Sequence, residues 1–127
     1  MRHLVTLITC LWLAAARTLQ AQTAVFKAVL TGRQEVMPVA SSGYGEITAT
    51  LTGNQLVVEG YFEQLTGTFD ATVAGGAHIH MGYAGQNGGI ALTLVPTLDA
   101  DLRGGTFMAL TNTFTLTAEQ AGQSHHE

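Results

Sequence analysis

The chain has 127 residues, 46% of them apolar, and a formal net charge of −4. All nine acidic residues lie after position 21, where the only bases are Lys27, Arg33 and Arg103, so residues 22–127 carry −6. That balance excludes nucleic-acid binding, which needs several phosphate-neutralising cations, and the low charge density with apolar residues throughout excludes a disordered chain.

Residues 1–21 read as a secretory signal peptide. Arg2 and His3 give a short polar, basic start, and Leu4 to Ala16 is an apolar run of 13 residues, the length of a signal core and too short to span a bilayer. Small residues close the segment, and cleavage is expected after Ala21 or after Ala16. Cys10 lies inside the apolar run rather than after it, which argues against lipoprotein processing. Cleavage removes this single cysteine, so the exported domain, residues 22–127, is expected to fold without a disulfide. No later apolar run reaches membrane-spanning length.

The rest of the chain, with 15 glycines and short apolar stretches set between them, has the composition of an all-β domain. Val25 to Thr31 predicts a first strand with Phe26, Ala28 and Leu30 on one face. Gly45 to Thr52 predicts a second, with Ile47, Ala49 and Leu51 opposed to Glu46, Thr48 and Thr50, the period of two of a half-buried strand. Gly53-Asn54 reads as a tight turn into Gln55 to Leu65, and the two strands as one hairpin. Ala77 to Met81 predicts a short strand, residues 82–89 a glycine loop, and Ile90 to Val95 a further strand. Pro96 to Gly105 reads as a polar connection. Phe107 to Thr117 predicts a closing strand with Met108, Leu110, Phe114 and Leu116 on one face. Thr117 to Gln120 has the spacing of a helix start. The expected architecture is one small antiparallel sandwich or barrel.

The sharpest chemical feature is Ala77-His78-Ile79-His80-Met81-Gly82. Histidines at i and i+2 of a strand project from one face and can converge on one ion, while Ile79, with Ala77 and Met81, is expected to face the core. His78 and His80 are therefore candidate metal ligands for copper or zinc, although two ligands are fewer than zinc generally takes. The competing reading is a pair of histidines that bond loop carbonyls or a carboxylate and fix the glycine loop. Gly82, Gly85, Gly88 and Gly89 suit a connection needing positive φ better than a phosphate cradle. Glu35, with Arg33 near enough to pair, and Asp99 with Asp101 read as loop or solvated carboxylates. Ser41-Ser42 lie in a loop, no Gly-x-Ser-x-Gly elbow is present, and no catalytic constellation stands out. His125 and His126 can add ligands but read as a terminal tail.

Two blocks resemble the chordin domain (CHRD) family. Residues 26–36, Phe26 through Leu30 and then Gly32-Arg33-Gln34-Glu35-Val36, are similar to the opening of that domain. Residues 77–88 are similar to its Ala-His-Ile-His-x-Gly-x-x-Gly-x-x-Gly hallmark. The likeness covers roughly residues 24–120. It implies an immunoglobulin-like antiparallel β-sandwich with a limited likeness to copper/zinc superoxide dismutases. It implies export, often from bacteria, and no defined reaction. Met37 departs from the family pattern where a second proline often precedes Pro38. The chain also ends before the family's closing Asn-Ile-His-Thr strand and Gly-Glu-Ile-Arg-Gly segment, so residues 22–127 are expected to be a C-terminally incomplete CHRD domain short of its last strands.

Together these readings predict a secreted or periplasmic, non-catalytic binding or structural module with an extracellular protein or matrix partner. The alternative is a copper- or zinc-binding domain using His78 and His80.

Overall fold

The computed structural model describes residues 21–83 and 85–122. Eight strands follow in chain order: β1 (Thr23–Thr31), β2 (Tyr44–Thr52), β3 (Gln55–Glu63), β4 (His78–Met81), β5 (Gly89–Thr93), β6 (Pro96–Leu98), β7 (Gly105–Phe107) and β8 (Thr113–Thr115). A single turn of 3-10 helix (Gly32–Gln34) follows β1, and a short helix α1 (Ala118–Gly122) follows β8. The leader reading falls, except for Ala21, outside the described residues, as does the His125-His126 tail.

The strands form two antiparallel sheets, one of six strands and one of two, as expected for an all-β sandwich. The larger runs β1-β2-β3-β7-β6, with β8 also on β3; the smaller is the β4–β5 pair. The β2–β3 hairpin is in the expected register, Thr52 opposite Gln55 across Gly53-Asn54. Gly53 takes φ 62°, which a glycine adopts without strain and which lets two residues close the turn. The far edge of β3 is divided: its Gly60–Phe62 half pairs with β7 and its Gln55–Val57 half with β8.

Alternation along β2 and β3 sends Leu51, Leu56, Val58 and Phe62 inward, where they join Leu94, Phe107 and Leu116 in the core. From the small sheet, Ile79 and Leu92 pack onto this cluster. Phe62 lies between Phe69 and Phe107, ring centroids 5.6 and 5.5 Å away. Each such buried side chain contributes about 1.5–3 kcal/mol. Phe26, Ala28 and Leu30 share one face of β1, as predicted, opposite Ala49, Ile47 and Gly45. Among the described residues two strands oppose the six-stranded layer, and Phe26 and Leu30 stay 40% exposed at its margin.

Two expectations are corrected. The segment 96–105 is not a plain connection but a hairpin, β6 to β7, closed where Asp99 N–H donates to Gly104 O (2.9 Å) and Leu102 N–H to Asp99 O (3.0 Å). Residues 107–117 are not one strand. The backbone folds back where Asn112 N–H reaches Met108 O (3.1 Å), leaving Met108 and Leu110 44% and 91% exposed. Asn112 is the buried polar residue of the core, and its carbonyl accepts Val58 N–H at 2.9 Å. The expected helix start is present in both directions: Thr117 N–H donates to Gln120 Oε1 (2.9 Å) and Gln120 N–H to Thr117 Oγ1 (3.3 Å). Among the described residues, no helix is long and apolar enough to cross a membrane.

Candidate functional site

β4 is short because it has one neighbour, β5, and runs into the glycine loop at Gly82. His78 pairs with Thr93 and Ile79 with Leu92; the register then slips, so that His80 faces Ile90 and Met81 faces Gly89. Ala91 is the extra residue on β5, and its carbonyl accepts Gln120 Nε2 from α1 at 3.5 Å. Ala77 and Ile79 lie against the core as expected. Met81 does not; its cross-strand neighbour Gly89 has no side chain to cover it, and it is 40% exposed.

The two histidines share a face, and their rings meet edge to face, centroids 4.6 Å apart at 75°. They are held differently. His80 is exposed, and its Nδ1 lies 2.7 Å from Gly88 O. A carbonyl oxygen only accepts, so Nδ1 carries the hydrogen, and in the neutral ring Nε2 keeps a free lone pair. His78 is half-buried, and its Nδ1 is shielded from solvent without a hydrogen-bond partner among the described residues. An unsatisfied buried nitrogen of this kind costs about 1–3 kcal/mol. The anticipated role of the pair in fixing the glycine loop is thus seen at His80, whereas His78 makes no such bond.

The loop end that meets His80 has little latitude. A Cβ at Gly88 would meet the carbonyl of Met81 and lie 3.1 Å from Gly82 N, so a side chain there would push the strand apart. Among the described residues, no group of three or more histidine, cysteine, aspartate or glutamate side chains is placed to hold one metal ion. Any ion at His78 and His80 therefore takes two donors from the described chain.

The remaining candidates are dispersed. Glu35 is exposed at the end of the 3-10 turn, and among the described residues no ion pair joins it to Arg33. Asp99 and Asp101 line an open concavity of about 430 Å³ with Ser42, Glu63, Gln64, Arg103 and Gly104. Their roles there are local: Asp101 Oδ1 accepts Arg103 N–H at 3.0 Å and fixes the β6–β7 turn. The Arg103 guanidinium is spent on main-chain carbonyls, donating Nε–H to Leu65 O (2.7 Å) and Nη2–H to Thr66 O (3.3 Å). The loop serines are anchored, Ser42 Oγ donating to Gln64 O at 2.9 Å.

One arrangement escaped the sequence reading. On the outer face of β2–β3, Tyr44 stands opposite Glu63 and Glu46 opposite Tyr61, so two tyrosines and two glutamates alternate in a square. The tyrosine rings are 6.3 Å apart, and Tyr44 OH donates to Glu46 Oε1 at 2.5 Å. That hydrogen bond, with desolvation and the nearby carboxylates, pushes the Tyr44 hydroxyl up to about 12. The available signal was Tyr-x-Glu recurring on both arms of a predicted hairpin.

No curated protein and no solved structure matches the chain in comparison. A family model described as the CHRD domain does match, over residues 26–125. The match begins within β1, takes in every later strand together with His78 and His80, and ends beyond α1. Covering most of the sequence, it shows that the chain belongs to the CHRD domain family.

Proposed function

We propose that the protein is a secreted, non-catalytic binding module whose partner is an extracellular protein or matrix component. CHRD domains are typically extracellular, and family membership supports a non-catalytic module. The observation that carries the reading is the edge of β1, which is open among the described residues. Nine residues pair with β2 along one side, and β1 is the terminal strand of its sheet. Val25, Phe26, Val29 and Leu30 are 58%, 40%, 47% and 40% exposed there. Edge strands are ordinarily blunted by prolines, bulges or several charges; β1 has neither proline nor register shift, and Lys27 is its one charged residue. An extended partner segment can add to such an edge, main-chain hydrogen bonds supplying affinity and the alternating side chains specificity.

A photo-crosslinking residue at Val29, with one at Leu110 as control, tests this in the mature protein against extracellular and matrix fractions. Capture is expected at 29 and not at 110, and the Val25→Lys/Val29→Lys variant is expected to lose it while keeping its circular dichroism. Equal capture at both positions, or none at 29, rejects the reading. N-terminal sequencing of exported protein tests the leader, with Gln22 or Arg17 as the expected first residue.

A further inference from the structure

We infer that His78 and His80 form a binding site for a copper(II) ion, with the Nε2 atom of His80 as one donor and the His78 imidazole as the other. This inference is independent of the β1 edge. Three observations converge on it.

His80 has the arrangement of a ligand already oriented. A metal-bound histidine characteristically donates its second ring N–H to a carbonyl or carboxylate, which fixes the tautomer and raises the basicity of the donor nitrogen. Nδ1 of His80 makes that bond to Gly88 O at 2.7 Å, so the lone pair of Nε2 is left on an exposed ring. His78 supplies what such a neighbour lacks. Its Nδ1 is shielded from water and has no partner among the described residues, a polar atom whose missing partner a cation can replace. The spacing also suits one ion. Metal–imidazole bonds are about 2.0–2.1 Å, so two donor nitrogens on one ion lie within about 4 Å of each other. Rings with centroids 4.6 Å apart are compatible with that separation.

The identity of the ion follows from the donors. Both are imidazole nitrogens, and the described residues contain no cysteine, the single one of the sequence being Cys10. Zinc sites generally take three or four protein ligands, and the described residues offer no third. Among divalent first-row ions copper binds such nitrogen donors most tightly, so copper(II) is the ion two imidazoles hold best. With two protein donors the binding is reversible rather than structural.

Calorimetric titration of the mature protein with Cu²⁺ and separately with Zn²⁺ tests the inference, with electron paramagnetic resonance of the copper-loaded form. One Cu²⁺ per chain is expected, held more tightly than Zn²⁺, with nitrogen coupling in the spectrum. His78→Gln and His80→Gln are each expected to weaken binding by more than about tenfold. His125→Ala/His126→Ala is expected to leave the spectrum unchanged. Gly88→Ala, which keeps both histidines but displaces the carbonyl, is expected to weaken Cu²⁺ by about 10–100-fold. Metal-free melting curves of every variant separate lost ligation from lost folding, and the wild-type spectrum reads the donors without any substitution. Absence of nitrogen coupling, survival of the signal in the His78→Gln/His80→Gln variant, its loss in the tail variant, or preference for Zn²⁺ overturns the inference.

Discussion

Asn112 holds Val95 by both ends of its amide: Val95 N–H donates to Asn112 Oδ1 at 2.8 Å, and Asn112 Nδ2 donates to Val95 O at 3.0 Å. The side chain thereby does what a neighbouring strand would do for the backbone of Val95. With its own carbonyl accepting Val58 N–H at 2.9 Å, this fully buried residue ties the β5–β6 corner to the central strand. Asn112→Ala leaves the Val95 groups without these partners and is expected to cost about 2–4 kcal/mol. Asn112→Asp keeps the acceptor but loses the Nδ2 donors and introduces a buried charge, so it is expected to cost at least as much. Urea unfolding measures both, and a cost below about 0.5 kcal/mol would show that water replaces the amide.

Gly88→Ala also addresses stability apart from any metal. The Cβ must displace Met81 and Gly82 backbone, which opens the end of β4. A loss of about 1–3 kcal/mol is expected in thermal unfolding. The His80 imidazole proton signals should shift as the Gly88 contact is lost, whereas those of the more deeply seated His78 should move less.

The Tyr44–Glu46 pair fixes a pH dependence. The Tyr44 hydroxyl, raised from the ordinary 10.0 to about 12 first by its hydrogen bond to Glu46, keeps in the folded state a proton that the unfolded chain releases near 10. Its contribution to stability is therefore intact below pH 10 and is lost as pH rises through 12. Phenolate absorbance should show Tyr44 titrating late, with Tyr61 also raised, first by desolvation and then by the Glu46 and Glu63 carboxylates, and Glu46→Gln should bring the Tyr44 transition down toward the ordinary range. An unchanged titration in Glu46→Gln would refute the assignment.

Arg103 clasps the chain end of β3 to the β6–β7 turn through two carbonyls, Leu65 O and Thr66 O. Its guanidinium is exposed, so solvent competes for both bonds. Arg103→Ala is expected to lower stability by about 1 kcal/mol, and Arg103→Lys to recover less than half of this, because an ammonium does not reproduce the planar fork. Chemical denaturation of the three proteins in parallel decides it.

The β2–β3 hairpin was legible because its signals are local: side chains alternate over nine residues on each arm, and Gly53-Asn54 stands between them. The histidine pair was legible for the same reason, since a spacing of two on a strand sets the shared face. The β6–β7 hairpin was not. Its strands have three residues each, and the Asp99-x-Asp101-x-Arg103 turn has the composition of a plain solvated loop. The break at Asn112 was hidden by chance alternation, because Met108 and Leu110 continue the apolar period of Phe114 and Leu116 through a turn where no core covers them. Asn112 itself gives no local signal; its partner Val95 lies 17 residues earlier and meets it only in the fold. The Gly88 carbonyl bond to His80 belongs in between, anticipated as a type of contact but not as an atom pair.

The divided edge of β3 also sets an order of assembly. Its near edge is closed by a two-residue turn, a step that hairpins complete in about 1–10 μs. Its far edge waits for Gly105 to reach Phe62 and Phe114 to reach Leu56, and each contact closes a long stretch of chain against its entropy. The β2–β3 hairpin is then the template formed first, and β7 and β8 are its late recruits. Substitutions that weaken the hairpin should slow folding, whereas those in β8 should chiefly hasten unfolding.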